Sequence, residues 1–316
     1  MNRHRLGRTG FAVAPLAFGG NVFGWTADEA TSFQLLDAFV EAGGNLIDTA
    51  NSYSRWVPGH QGGESETVIG RWIARRGRHD DVVIATKVGS DMGQGEKCLR
   101  RDYIVRAADE SLRRLHVDAI DLYQSHWDDE KAPLAETLDA YARLIKQGKV
   151  KAIGASNLSA ARLAEALDVS AREGLPRYDT LQPPYNLYER ATFEEELRDL
   201  CLREDVGVIT YFSLAAGFLT GKYRTEADYA KSPRGAGMKK YLNARGLRIL
   251  DALDDVAARR HSTSATVALA WLMAQPGVTA GIASATSLSQ LEALIAATRL
   301  SLDELDMREL DEASAS

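Results

Sequence analysis

Eight short apolar runs alternate with helix-like segments along this chain, and that alternation restricts the fold more than any other feature. The runs are LAFGG (16–20), NLIDT (45–49), DVVIATK (81–87), AIDLYQ (119–124), VKAIGAS (150–156), DTLQPPY (179–185), GVITYF (207–212) and TAGIASA (279–285). They are rich in Val, Ile and Leu and lack strict alternation, as strands do when helices cover a parallel sheet. Helical patterns fall at 28–42, from GGESE (62–66) onward, and at 102–115, 133–148, 161–173, 189–205, 246–260, 264–275 and 288–297. Eight such units in 316 residues predict an α/β chain folded as a (β/α)8 TIM barrel. RLGRTGFAV (5–13) predicts an N-terminal β-hairpin, and extra helices fall between strands seven and eight, beyond a polar stretch at 220–245. A doubly wound sheet would carry a GxGxxG fingerprint after its first strand; LAFGGNVFG (16–24) does not. With no linker or repeat in view, 1–316 reads as a single domain.

Composition narrows the function. A hydrophobic content of 45% fills a sizeable core. A formal charge of −6 and a pI of about 5.6 argue against nucleic acid or an anionic membrane as partner. The basic run GRWIARRGR (70–78) reads as the solvated end of a helix. Cys98 and Cys201 lack metal-ligand spacing, which fits a reducing compartment and structural roles. MNRHRLGRTG has no apolar signal region, and VALAWLMA (267–274) is too short to span a bilayer. The expectation is a soluble cytoplasmic protein. Oligomeric state is not fixed by the sequence.

In a parallel α/β fold the loops after the strand ends carry the chemistry. Asp48 and Tyr53 follow the second run, Lys87 ends the third and His126 follows the fourth. Singly, each has an ordinary reading: a turn cap, a packing residue, a rim ion pair, a strand-end histidine. Together they form a proton-donating set. A carbonyl accepts hydride poorly until its oxygen is protonated or strongly hydrogen-bonded. Tyrosine holds its proton at neutral pH, with an ordinary pKa of about 10. A nearby ammonium, Lys87, is expected to lower that value and ready the phenol as an acid. Asp48 would keep Lys87 charged, and His126 would orient the carbonyl.

At these residues the chain resembles the aldo-keto reductase family. DTANSY (48–53) matches its aspartate–tyrosine segment, TKVG (86–89) its lysine segment and LYQSHW (122–127) its histidine segment. GGESE, GASN (154–157), LQPPYN (181–186), Tyr211, LTGKY (219–223) and ALAWLMAQP (268–276) extend the match over almost the whole chain. The resemblance implies a barrel that reduces aldehydes and ketones with NADPH and without metal. It makes Asp48, Tyr53, Lys87 and His126 the catalytic tetrad. Ser156, Asn157 and Gln182 would bond the nicotinamide carboxamide, and Tyr211 would stack on the nicotinamide ring. Leu214, Gly217 and Lys222 fall in the loop that straps the pyrophosphate.

The chain departs from the family at two places. Phe212-Ser213-Leu214 replaces Ser-Pro-Leu after Tyr211, so the strap follows a different path. Near the eighth strand Ser284 and Thr286 stand in place of a glycine and an arginine, and Ala293 and Leu294 replace a Glu-Asn pair, while Gln290 is kept. The 2′-phosphate thus loses its usual cation. The expectation is NADP(H) preferred by a reduced margin, with measurable NAD(H) use. Trp25, Trp56 and Trp127 lie just beyond strands one, two and four and would wall an apolar substrate pocket. KSPRGAG (231–237) reads either as a cover over the cofactor or as a passive loop. The leading reading is a reductase of small aldehydes or ketones. Its rivals are a cofactor-sensing subunit of a larger assembly and a Schiff-base enzyme with Lys87 as nucleophile.

Overall fold

A computed structural model describes residues 1–232 and 235–315. Its centre is a closed barrel of eight parallel strands: β3 (Leu16–Gly19), β4 (Leu46–Asp48), β5 (Val83–Val88), β6 (Ile120–Ser125), β7 (Val150–Ser156), β8 (Thr180–Gln182), β9 (Gly207–Thr210) and β10 (Val278–Ala283). Each strand pairs with its successor, and β10 closes the ring against β3. The hairpin of β1 (His4–Arg5) and β2 (Ala12–Val13) precedes the barrel.

The barrel interior is filled by Ala17, Leu46, Val83, Ala85, Leu122, Ala152, Ile209, Ala280 and Ile282. Leu6 and Val13 of the hairpin region join this cluster, so the hairpin closes the amino-terminal end. Outside, the strands' other faces pack against helices. These are α1 (Glu29–Glu41), α2 (Glu64–Arg76), α3 (Arg101–Leu115), α4 (Leu134–Lys146), α5 (Ala160–Glu173), α6 (Ala191–Glu194), α7 (Glu196–Glu204), α8 (Ala244–Arg259), α9 (Ser264–Met273), α10 (Leu288–Ala297) and α11 (Glu304–Ser314). Local chemistry sets several starts: Asp28, Ser159, Asn243, Thr263 and Ser287 each cap a helix N-terminus through the side chain.

The two-faced burial explains the lack of alternation in the sequence: every residue of β5 and β6 is buried. Three details differ from expectation. The helix expected at 189–205 breaks at Glu195 into α6 and α7. Phe193 packs on Tyr185, and Tyr185 and Arg190 both bond Glu194, which turns the first segment inward. The polar stretch resolves into short 3-10 helices, Glu226–Lys231 and Gly235–Lys240. Helix α11 carries no strong apolar stripe and is not foreseen. It is held on α8 by Arg259 and Arg260, which clamp the buried Asp306.

Candidate active site

The strand ends gather the four expected groups at one point. Asp48 ends β4, Lys87 lies one residue from the end of β5, and His126 directly follows β6. Lys87 and Asp48 are buried, with side chains 0% and 2% exposed. Lys87 Nζ donates to both Asp48 oxygens at 2.7 Å, to the Thr49 carbonyl at 2.8 Å and to the Tyr53 hydroxyl at 2.9 Å. Three ammonium protons thus serve four acceptors. The Tyr53 hydroxyl donates in turn to Asp48 Oδ2 at 3.1 Å. Gln182, from β8 across the barrel, donates to Asp48 Oδ1 at 2.8 Å.

The charges settle unevenly. Burial pulls the Lys87 pKa down, and Asp48 opposes that fall. Burial holds the Tyr53 phenol well above its ordinary value, and the neighbouring Asp48 carboxylate adds to the rise. This reverses the expectation that Lys87 would lower it. The ammonium is shared with Asp48 and Thr49, while a phenolate at this position would face the carboxylate directly. Tyr53 therefore keeps its proton at neutral pH.

His126 is neutral for the complementary reason. Burial, then the Lys87 and Lys97 cations, hold its pKa well below the usual imidazole value. Its backbone N–H donates to Val88 at 2.7 Å, and its carbonyl accepts from Asn157 at 2.9 Å. Nδ1 lies 3.0 Å from the Ser90 hydroxyl and 3.5 Å from that of Ser52. Trp127 stacks on the imidazole at 5.7 Å. Ser52 and Ser90 escape sequence reasoning, since short hydroxyl residues in strand-end loops read first as turn formers.

Ser156, Asn157, Gln182 and Tyr211 form one linked group. Ser156 Oγ donates to the Gln182 carbonyl at 2.7 Å, Asn157 Nδ2 donates to Ser156 Oγ at 3.0 Å, and the Tyr211 hydroxyl donates to Asn157 Oδ1 at 2.7 Å. Asn157 takes a left-handed conformation, φ 59°, which asparagine tolerates. After Tyr211 the chain turns through left-handed backbone at Phe212 (φ 55°), Ala215 (φ 47°), Ala216 (φ 57°) and Gly217 (φ 103°). The Leu214 carbonyl accepts from Gly217 and Leu219 inside this turn. Gly217 faces open space, its added Cβ meeting nothing closer than Lys222 Cε at 4.0 Å. Lys222 is exposed and folds over the Tyr223 ring. The residue set fits a dinucleotide: amides and a hydroxyl beside an aromatic face, then a turn left open at Gly217 with the Lys222 cation nearby.

Beyond β10 the groups are neutral. Ser284 Oγ donates to Asn21 Oδ1 at 2.7 Å, a partner the sequence does not suggest. Gln290 Oε1 accepts from the Thr286 amide at 2.9 Å and from its hydroxyl at 3.2 Å. Trp25 packs edge-on to Trp56 at 5.6 Å, and Trp56 packs on Tyr53 at 6.1 Å. With Trp127 on the histidine side, two indoles adjoin these four residues, and Trp25 reaches them only through Trp56. The expected cover at 231–237 includes Pro233 and Arg234, which lie outside the described residues.

An eight-stranded parallel barrel with a phenol, ammonium, carboxylate and imidazole at its strand ends defines a class of oxidoreductase. The chain belongs to the aldo/keto reductase family, whose model matches residues 15–315. Members of that family generally use nicotinamide cofactors. The chain is 32% identical to "Protein tas" of Escherichia coli, across 98% of this chain and 97% of that protein. It is 35% identical to "Aldo-keto reductase YhdN" of Bacillus subtilis, across 93% and 86%. It is also 32% identical to a "Probable voltage-gated potassium channel subunit beta" of Arabidopsis thaliana, across 92% and 89%.

Two outcomes follow for stability. Lys87→Met leaves Asp48 buried without its counter-charge, a loss of about 3–5 kcal/mol. Urea unfolding of Lys87→Met should show that loss, well beyond the effect of Tyr53→Phe; equal midpoints would contradict a buried pair. His126 has a depressed folded-state pKa, so below about pH 6.5 the unfolded chain binds a proton that the folded chain refuses. Stability should fall as pH drops through that window and level off below the folded-state value. Denaturation midpoints from pH 7.5 to 5 should show a weaker acid loss in His126→Gln than in wild type. Parallel profiles would show that His126 titrates normally.

Proposed function

We propose that this chain, acting as one barrel domain, is an NADP(H)-dependent carbonyl reductase of the cytoplasm. The observation that carries the reading is the Tyr53 hydroxyl, held between Lys87 Nζ at 2.9 Å and Asp48 Oδ2 at 3.1 Å. A bound nicotinamide would supply the hydride that reduces the carbonyl carbon. Tyr53 gives its proton to the carbonyl oxygen, which as a developing alkoxide is far more basic than a phenolate. The Lys87 N–H already directed at the Tyr53 oxygen stabilises the phenolate that results. His126 donates a hydrogen bond to the same carbonyl oxygen. In alcohol oxidation Tyr53 acts as the base.

Ser156, Asn157 and Gln182 would hold the carboxamide edge, and Tyr211 the ring face. Gln182 directs its amide N–H groups toward Asp48, so its carbonyl oxygen is the atom to meet the carboxamide. Leu214, Gly217 and Lys222 would strap the pyrophosphate, Lys222 after swinging off the Tyr223 ring. Trp25, Trp56 and Trp127 favour aromatic or other apolar aldehydes and ketones over small polar ones. The full burial of Lys87 and its double contact with Asp48 disfavour Schiff-base chemistry, which needs a free, neutral amine.

A second reading rests on the relative named as a potassium channel subunit. In it, the same site senses cofactor state within a larger assembly. Slow turnover across a broad aldehyde panel, with co-purification of a partner, would favour it.

The acid is tested by Tyr53→Phe. General acid catalysis contributes roughly 10²–10⁴-fold, so NADPH-dependent aldehyde reduction should fall by that range while NADPH binding persists. Near-normal turnover would contradict the role. Cofactor choice is tested by titrating NADPH and NADH against tryptophan fluorescence. The hydroxyls of Ser284 and Thr286, the Gln290 amide and the α10 N-terminus favour a 2′-phosphate without a full counter-charge. NADPH should bind more tightly than NADH, and Thr286→Arg should tighten NADPH alone. Equal binding in wild type, or no response to Thr286→Arg, would overturn this assignment.

A further inference from the structure

The imidazole of His126 has a second environment that the reductase reading does not use. Two hydroxyls converge on its Nδ1: Ser90 Oγ at 3.0 Å and Ser52 Oγ at 3.5 Å. They come from different loops, Ser52 from the one after β4 and Ser90 from the one after β5. Ser90 is buried, and its own position is fixed. Its carbonyl accepts from Gln94 Nε2 at 3.1 Å and from the Tyr103 hydroxyl, on α3, at 3.4 Å. The imidazole cannot swing away, because Trp127 stacks on it at 5.7 Å and the Tyr53 ring meets its edge at 6.0 Å.

Neutral imidazole carries one proton, and its two nitrogens differ according to which one holds it. Among the described residues neither serine hydroxyl has another hydrogen bond. If Nδ1 carried the proton, the buried Ser90 hydroxyl proton would have no protein acceptor, at a cost typical of an unpaired buried donor. If Nδ1 carries a lone pair, Ser90 donates to it and Ser52 stands as a second, longer donor. The proton then sits on Nε2, which has no hydrogen bond among the described residues, where it can donate to a carbonyl oxygen. With the opposite tautomer Nε2 would present a lone pair and repel that oxygen.

We propose that Ser90, backed by Ser52, is a positioning residue that locks His126 in its Nε2–H tautomer. The effect on catalysis rests on the reductase reading; the tautomer does not. Ser90, held by Gln94 within its own loop and tied to α3 by Tyr103, thereby makes the histidine a donor before any substrate arrives. The charged and titratable groups facing this imidazole are Lys87 on β5, Lys97 on the loop before α3 and Tyr53 on the loop after β4. Both lysines disfavour a second proton, so a neutral ring with a fixed tautomer persists at physiological pH.

The test has two arms on the full chain. In the first, 15N-histidine NMR of the substrate-free protein reads the tautomer directly. Wild type should show Nδ1 as the pyridine-like nitrogen and Nε2 as the protonated one. Ser90→Ala with Ser52→Ala should move His126 toward mixed tautomers, and Ser90→Thr with Ser52 intact should retain the wild-type signature. In the second arm, NADPH-dependent reduction of an aromatic aldehyde should fall about 10–100-fold in kcat/KM in the double variant, the scale found when the partner of a metal-bound imidazole is removed. Ser90→Thr should recover most of the loss, and the acid limb of the pH profile should shift in the double variant. A wild-type spectrum with Nδ1 protonated overturns the proposal. So does an unchanged tautomer in the double variant. A wild type that shows the Nε2–H signature yet reduces no carbonyl overturns the reductase reading alone.

Discussion

The Lys87–Asp48 pair is the contact on which the rest of the site depends. Neither group reaches solvent, so each is tolerable only while the other neutralises it. That need recruits further partners: the Thr49 carbonyl, the Tyr53 hydroxyl and the Gln182 amide all close on the pair. Because Gln182 ends β8 and Asp48 ends β4, the network ties opposite sides of the barrel. A buried ion pair is weak evidence of net stability, since desolvation consumes much of its attraction. Its role here is to fix geometry: the barrel supplies rigid strand ends, and the pair decides what may sit between them.

Two neutral groups result, held neutral by opposite pressures. Tyr53 keeps its proton because burial and Asp48 resist a phenolate. His126 refuses a second proton because burial and two lysines resist an imidazolium. Environments that push two titratable groups apart are the usual means of assigning acid and base roles at one pH. In the proposed reaction both groups address one carbonyl oxygen, one by proton transfer and one by hydrogen bond. Trp56 packs on Tyr53 and Trp127 stacks on His126, so each of the two groups has an indole against it.

The strand–helix alternation and the meeting of Asp48, Tyr53, Lys87 and His126 at the strand ends were legible in the sequence because each rests on local pattern: apolar runs, and polar groups where the runs stop. The direction of the Tyr53 shift was not. It depends first on how deeply the phenol is buried and then on the Asp48 carboxylate beside it, neither of which local sequence pattern reports. Gln182 was expected at a cofactor edge, yet its amide also anchors Asp48, 134 positions away. Ser52, Ser90 and Asn21 were silent for the same reason, since a lone serine or asparagine in a loop carries no signature of its distant partner. Helix α11 was hidden by its composition: beside the buried Leu310 and Ala313, much of its hold comes from polar contacts of Asp306 and Asp311 with distant arginines and Trp271.

The central claim is that burial, reinforced by the Asp48 carboxylate, holds the Tyr53 phenol above its ordinary pKa despite the Lys87 ammonium beside it. Tyrosine labelled with 13C at Cζ reports ionisation of each phenol, and Tyr53→Phe identifies the resonance. Titration from pH 7 to 11 should leave Tyr53 protonated past about pH 10, where an ordinary tyrosine is half ionised. In Asp48→Asn the ionisation should move to lower pH. A Tyr53 phenol that ionises below about pH 10 in the wild-type protein would contradict the account.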